Sequence, residues 1–302
     1  MAPERETPDT PAIVDVDDAL LRDWALPMPP HDGDKEGRGR TIVVAGSTEM
    51  PGAAWLAGIA ALRAGAGKLT LAVPASVAPG LALLMPEARV VTLADPVHET
   101  DAAHPLTELL SRCQALLIGP GMQGEDAVCR ACEHWLGAEG DYAVILDASA
   151  MGAVTGPRRE GRPVLVTPHA GEMAHLTGLS KDEIKADRER TAREAARRWN
   201  AVVALKGATT VIAAPDGRTW RHDGGNAGLA TSGSGDTLAG IIAGLAARGA
   251  PLEQAAVWGV ALHARAGSEL AKQQGPLGYL AREVPGEIPR LMHRLGGATD
   301  PG

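Results

Sequence analysis

Residues Gly224–Gly240 read GGNAGLATSGSGDTLAG. Glycine is dense through Gly235, and a run of strong helix formers begins directly after Asp236. The stretch therefore predicts a loop whose successive amides converge on a helix N-terminus, where the positive end of the dipole attracts an anion. Asp is also a favoured cap, so Asp236 by itself would mark only where a helix starts. The run from Asn226 to Asp236, with Gly233 and Gly235 in place, is far more specific than a cap. It is not a Walker loop, because no G-x-x-x-x-G-K-S/T occurs in the chain.

Outward from this loop the pattern is that of an α/β fold. Upstream, Ala201–Leu205, Thr210–Ala214 and Thr219–His222 lie close enough together for a strand meander, with Pro215-Asp216-Gly217 as a turn. Downstream, helices are expected over Asp236–Arg248, Leu252–Gln273 and near Glu287–Leu295. From Thr41 onward, short apolar runs alternate with amphipathic stretches, as in a parallel sheet with crossover helices. The strand candidates there are Thr41–Ala45, Lys68–Val73, Arg89–Leu93, Ala115–Ile118, Tyr142–Leu146 and Pro163–Val166. Helices fit Ala53–Ala64, Asp126–Trp135 and Lys181–Trp199. In the last of these, Ile184, Ala192, Ala195, Ala196 and Trp199 form an imperfect stripe that predicts partial burial. Residues 1–40 read as a polar N-terminal arm with one helical stretch, Asp17–Trp24, and residues 41–302 as a single domain.

Composition narrows the classes. The chain has 302 residues, only 3% aromatic and without Phe, so Ala, Leu, Val and Gly must fill the core. Closely packed helices on a sheet suit that composition better than a β-sandwich with aromatic anchors. A net charge of −8 argues against a general nucleic-acid binder, but leaves room for a small phosphorylated ligand held by backbone amides. Cys113, Cys129 and Cys132 are too few and too odd for a disulfide framework. The C-x-x-C at Cys129 and Cys132, with His134 just beyond, has no second pair to complete a zinc site and reads as ordinary helix cysteines. A reducing cytoplasm is the setting expected. Met1–Thr10 is acidic and Pro-rich, unlike a signal peptide, and no apolar stretch is long enough to span a membrane.

Gly233-Ser234-Gly235-Asp236 resembles the G-x-G-D segment of the ribokinase-like superfamily, in which an Asp lies next to a transferred phosphate. The resemblance implies a three-layer α/β/α fold with a mostly parallel central sheet. Further segments narrow it. Thr41–Gly67 (TIVVAGSTEMPGAAWLAGIAALRAGAG), Ile118-Gly119-Pro120-Gly121, Leu146-Asp147-Ala148, Thr167-Pro168-His169-Ala170-Gly171-Glu172 and Lys206-Gly207-Ala208-Thr209-Thr210 occur in that order. With the glycine loop they resemble the ADP-dependent NAD(P)H-hydrate dehydratases over about residues 34–292. The spacing of Gly46 and Gly52 does not fit a dinucleotide fingerprint. Two departures stand out: Asp34-Lys35-Glu36 where the family commonly has His-Lys-Gly, and Ser232-Gly233 where it often has Gly-Gly.

The resemblance implies a hydro-lyase that removes water from hydrated NADH or NADPH, with ADP as phosphoryl donor and Mg²⁺ on the phosphates. It makes Asp236 the catalytic base and a substrate contact, and places Ala53, Ala54, Gly121 and His169 around the substrate. It assigns Lys206, Gly207, Ala208, Thr209, Thr210, Gly233, Ser234 and Gly235 to the nucleotide. No metal ligand can be assigned. Several of these residues also fit plain structural roles. Lys206–Thr210 also fits a β-turn with an exposed lysine, and His169 a strand end, although its place after a strand at the ligand edge favours function. Glu172 reads equally as a helix cap, and Ala53, Ala54 and Gly121 nearly as well as tight helix–strand packing. Asp147, at the end of a buried strand, serves the site, a metal or a structural hydrogen bond. His263 reads as a satisfied helix histidine.

Family analogy further implies a homo-oligomer, and a partner epimerase as a separate chain, since the arm before Thr41 is too short to be one. The rival enzyme class is a small-molecule kinase of the hydroxymethyl-pyrimidine or hydroxyethyl-thiazole type, which would keep the phosphate on its product. A second rival is a nucleotide- or metabolite-binding regulatory protein that has lost catalysis, and the retained Asp236 and Lys206 count against it.

Overall fold

The computed structural model describes residues 11–28, 37–94, 97, 106–156 and 161–296. Asp34-Lys35-Glu36 lies outside the described residues. The strands are β1 (Ile13–Asp15), β2 (Arg40–Val44), β3 (Lys68–Pro74), β4 (Ala88–Leu93), β5 (Ala115–Ile118), β6 (Ala143–Leu146), β7 (Val164–Val166), β8 (Val202–Leu205), β9 (Thr209–Ala213) and β10 (Thr219–Asp223). The helices are α1 (Asp18–Asp23), α2 (Gly52–Arg63), α3 (Ala78–Leu84), α4 (Leu106–Leu110), α5 (Glu125–Gly137), α6 (Ala170–Thr177), α7 (Lys181–Ala186), α8 (Arg188–Trp199), α9 (Ser234–Ala247), α10 (Leu252–Gln274) and α11 (Val284–Leu295). Among the described residues no helix is long and apolar enough to cross a membrane.

The strands form one ten-stranded sheet in the order β1-β10-β9-β8-β7-β6-β5-β2-β3-β4. From β8 through β4 every neighbour is parallel, while β8–β9 and β9–β10 are antiparallel. Successive side chains of a strand point to opposite faces, and both faces are covered here. In β5, Ala115 and Leu117 enter the cluster shared with α2, α9, α10 and α11. Leu116 and Ile118 enter the other, shared with α4 through α8. That double burial is why the central strands read as continuous apolar runs. The result is the three-layer, mostly parallel α/β/α architecture expected.

Between β2 and β5 the topology reverses. β2 continues through α2 to β3 on one face, whereas β5 continues through α5 to β6 on the other. The chain thus diverges at the carboxyl ends of these neighbours and leaves a crevice, the usual place for a ligand in an open α/β sheet. The amide of Gly46, after β2, donates to the carbonyl of Pro120, after β5, at 2.7 Å across this divide.

Two elements depart from the expected pattern. Lys181–Trp199 is broken at Asp187, which ends α7 and caps α8 by accepting from the Arg190 amide. The break resets the helical phase, so Ile184 on α7 and Ala192, Ala195, Ala196 and Trp199 on α8 are all buried rather than partly exposed. β1 had no sequence signal. It pairs in parallel with β10, and the chain that follows is well anchored. The Trp24 ring stacks on Trp220 with centroids 5.5 Å apart. Gln254 and Trp258 donate side-chain N–H groups to the Trp24 carbonyl at 3.0 and 2.8 Å.

Candidate active site

Because β5 through β8 are parallel, their C-terminal ends open on one edge of the sheet and deliver Gly119–Gly121, Asp147, Thr167–His169 and Lys206 together. Asp147 is 3% exposed. Its Oδ1 accepts from Thr167 Oγ1 at 2.5 Å and lies 3.4 Å from Lys206 Nζ. A buried carboxylate needs such compensation. Glu172 Oε2 lies 3.7 Å from the same ammonium. Burial alone would lower the lysine pKa, but Asp147, Glu172 and, to a smaller extent, Asp236 outweigh it and hold Lys206 above its ordinary value. Lys206 is therefore a fixed cation in a site with an excess of acids.

The glycine loop meets this cluster from the other side. Gly233, at φ +85°, is the N-cap of α9. The positive φ favours glycine there, and a Cβ would lie 2.4 Å from Leu56 Cδ1 on α2, so that side chain would have to shift. Ser232, by contrast, does not adopt a positive φ, which explains why the usual glycine is dispensable there. Gly235 brings its backbone close to Lys206, since a Cβ on it would lie 3.5 Å from Nζ. Asp236 follows in the first turn of α9. Burial first, and the negative charge of Asp147 second, push its carboxyl up to about 6 against the opposing pull of Lys206. It is not a cap, for no side-chain cap bond exists at this terminus.

The arrangement of α2 beside α9 accounts for the small residues expected near a substrate. Cβ atoms on Gly240 and Gly244 would fall 2.2 Å from the Ala57 carbonyl oxygen and 2.3 Å from that of Ala61. Equal four-residue steps on both helices mean that they run parallel, and one turn back the same register sets Asp236 level with Ala53. Gly121, at φ +66°, abuts that alanine: its Cβ would lie 2.5 Å from Ala53 Cβ. Ala54 is fully buried, packed 3.6 Å beneath Gly46. Ala53 and Gly121 thus stand at the switch-point crevice beside Asp236, with the N-termini of α2 and α9 on the same side. Tight packing and proximity to Asp236 are compatible for them.

A cavity of about 620 Å³ lies on the far side of the loop. Its walls include Lys206, Gly207, Ala208, Thr210, Ser234 and Gly235 from the residues assigned to the nucleotide. Thr209 and Gly233 do not face it. The hydroxyl of Thr209 turns away to Asp223 Oδ1, at 2.5 Å, and Gly233 packs on α2. His169 stands at its edge. It is the N-cap of α6, where its Nδ1 accepts from the Gly171 and Glu172 amides at 2.9 and 3.1 Å, while Glu172 Oε2 accepts from the His169 amide at 2.7 Å. Nδ1 is therefore an acceptor, the proton sits on Nε2, and that N–H is free to meet a ligand. Glu172 does two things at once: it caps α6 and it faces Lys206.

Several other residues of the site carry no motif that marks them in the sequence. His222 lines the cavity opposite Thr210, its cross-strand partner in the β9–β10 ladder. Once Thr210 is placed in the cavity, that register is the signal that would have found it. Burial keeps His222 and His263 neutral, each lowered to about 4. His263 Nε2 lies 3.1 Å from both Ser234 O and Ser234 Oγ, tying α10 to the start of α9 as a satisfied helix histidine would. Tyr279 donates to Asn226 Oδ1 at 2.5 Å and supports the glycine loop from outside. Ala148, directly after Asp147, holds φ +47°, a strained conformation for a residue with a side chain. Cys129 and Cys132 lie within α5, and among the described residues no three His, Cys, Asp or Glu side chains gather as a metal cage.

Known proteins resemble this chain over most of its length. Residues 41–290 match the family model described as NAD(P)H-hydrate dehydratase. A relative from Xanthomonas campestris pv. campestris, named ADP-dependent (S)-NAD(P)H-hydrate dehydratase, is 48% identical over 293 residues, covering 94% of this chain and 98% of its own length. A bifunctional NAD(P)H-hydrate repair enzyme of Moorella thermoacetica is 40% identical over 89% of this chain, which spans 52% of that longer protein. Among solved structures, the ADP/ATP-dependent NAD(P)H-hydrate dehydratase of Bacillus subtilis, co-crystallised with ATP and Mg²⁺, superposes with a TM-score of 0.84 at 36% identity, covering 94% of this chain and 99% of its own. With the fold, the family model and these likenesses in agreement, the chain belongs to the NAD(P)H-hydrate dehydratase family.

Proposed function

We propose that this chain is a hydro-lyase that dehydrates NADH or NADPH hydrated at the 5,6 double bond of the nicotinamide ring, consuming ADP and releasing AMP and phosphate. The observation that carries this is the position of Asp236. It follows Ser234 and Gly235, which line the nucleotide-sized cavity, the α2–α9 register sets it level with Ala53 at the switch-point crevice, and its pKa is raised to about 6. A base poised near neutral pH accepts a proton without being too weak to take it. The ring hydroxyl gives its proton to the Asp236 carboxylate as its oxygen attacks the terminal phosphoryl group of ADP. AMP leaves, and the ring now carries a phosphate ester. The ring nitrogen lone pair expels phosphate, and loss of the neighbouring proton restores the double bond.

The protein's part is positioning and charge. Amides of Ser234 and Gly235 at the N-terminus of α9 face the transferring group, and Lys206 neutralises it. Nε2–H of His169 orients the nicotinamide, and Ala53 and Gly121 let the flat ring approach backbone. Ala54 supports them from beneath. Mg²⁺ fits as an ion carried mainly by the nucleotide phosphates beside Asp147 and Asp236, because a hard cation needs few protein carboxylates there. When bound it offsets phosphate charge. We further place the enzyme in a reducing cytoplasm, as a homo-oligomer working beside a separate epimerase, in keeping with its unpaired cysteines and the family resemblance.

Asp236→Asn tests the assignment. It keeps the shape and removes the base, so turnover should fall by about 10³-fold or more while ADP binding, measured by calorimetry, stays within about threefold of wild type. Wild-type turnover in this variant would refute the role.

A further inference from the structure

A second cavity, of about 450 Å³, adjoins the first at His169. Its walls come from the loop after β6 (Ala148, Ser149), from Glu125, and from the α6–α7 segment that carries His175 and Lys181. Apart from His169 and Glu172, its walls take no part in the catalytic arrangement above. Its acids are already engaged: Glu125 Oε1 meets His175 Nε2 at 3.0 Å, and Glu172 meets the His169 amide and Lys206. Lys181 has no ion-pair partner among the described residues. Its Cε lies 3.3 Å from where a Cβ on Gly171 would be, and His169 Cε1 lies 2.8 Å from the same point. The lysine and the imidazole therefore stand side by side on one wall. The absence of a side chain at Gly171 opens the space between them.

The substrate of the proposed reaction is much longer than its reacting ring. With the nicotinamide against His169 and Asp236, the rest of the dinucleotide must leave the crevice, and the ADP cavity is filled by the co-substrate. We infer that the second cavity receives the remainder of the NAD(P)H hydrate, and that Lys181 pairs with its diphosphate bridge. The assignment rests on the dehydratase reading. The diphosphate begins one ribose away from the ring, the separation at which a cation beside His169 would meet it. Because the diphosphate is common to hydrated NADH and NADPH, Lys181 serves both alike. It binds the ground state and the transition state equally, far from the proton transfer.

The test is steady-state kinetics of wild type, Lys181→Ala and Lys181→Arg with hydrated NADH and hydrated NADPH, at saturating ADP and again with ADP varied. Lys181→Ala should raise KM about fivefold for both hydrates, with kcat and the KM for ADP nearly unchanged, as expected when an exposed charge-assisted contact of uniform binding is removed. Lys181→Arg should restore most of the loss. An unchanged KM for the hydrates, or a raised KM for ADP instead, would overturn the inference. A defect confined to hydrated NADPH would also overturn it, pointing to the 2′-phosphate. A wild-type enzyme inert towards both hydrates would remove the dehydratase reading and this subsite with it. A working wild type beside an unaffected Lys181→Ala would remove the subsite alone.

Discussion

Asp236 is a carboxylate whose charge the protein disfavours. Burial raises its pKa first and Asp147 raises it further, against the pull of Lys206, and the value settles at about 6. As the proposed base it must be ionised to work. The kcat/KM profile for the hydrate should therefore lose about tenfold per pH unit below pH ~6 and level off above it. Asp147→Asn removes one of the two influences that raise this pKa, so the acid limb should move to lower pH in that variant even as the maximum rate drops. A limb that stays in place would show that some other group titrates. Of this residue-scale picture, Asp236, Lys206 and His169 were legible in the sequence because the loop and strand-end motifs hold them at recognisable spacing. The way Lys206 shares Asp147 and Glu172 was not, because those contacts join strand ends and a helix cap far apart in the chain.

At the scale of elements, the site depends on α2 and α9 lying in contact along their length. Gly240 and Gly244 allow the approach, and the shared register carries Asp236 to Ala53. Gly240→Ala would place a methyl group 2.2 Å from the Ala57 carbonyl oxygen, which neither backbone can absorb without moving. It should cost about 2 kcal/mol of stability by overpacking and lower kcat as the first turn of α9 shifts. Gly286→Ala, on a helical glycine with open space around its Cβ position, is the control and should be neutral or slightly stabilising. Equal unfolding midpoints for the two variants in denaturant titrations would contradict the packing account. Most elements could be read from the sequence because apolar runs and amphipathic stretches alternate cleanly after Thr41. The break at Asp187 could not, for Lys181–Trp199 is uniformly charged and strongly helix-forming, and a single capping aspartate within it looks like one more surface acid. β1 was invisible for the opposite reason. At three residues it is too short for an alternation pattern, and only its partner β10 makes it a strand.

For the whole molecule, the sheet does two separate jobs along one edge. The antiparallel β8–β10 end and the start of α9 enclose the cavity of about 620 Å³, while the parallel β2–β5 switch point opens the crevice. In the proposed reaction the first takes the nucleotide, the second the substrate, and Asp236 acts between them. The glycine loop with the G-x-G-D segment implied such a junction, but its location at a topological switch emerges only from strand order. We propose that this junction brings ADP to a hydrated nicotinamide and then releases phosphate. The most direct measurement is absorbance at 340 nm when purified protein meets hydrated NADH with ADP, with ATP or with neither, alongside an assay of free phosphate. Absorbance should recover with ADP, with AMP and phosphate formed in equal amounts and no phosphorylated product left behind. No recovery with either nucleotide, from folded protein that binds ADP, or phosphate retained on the product, would contradict the account.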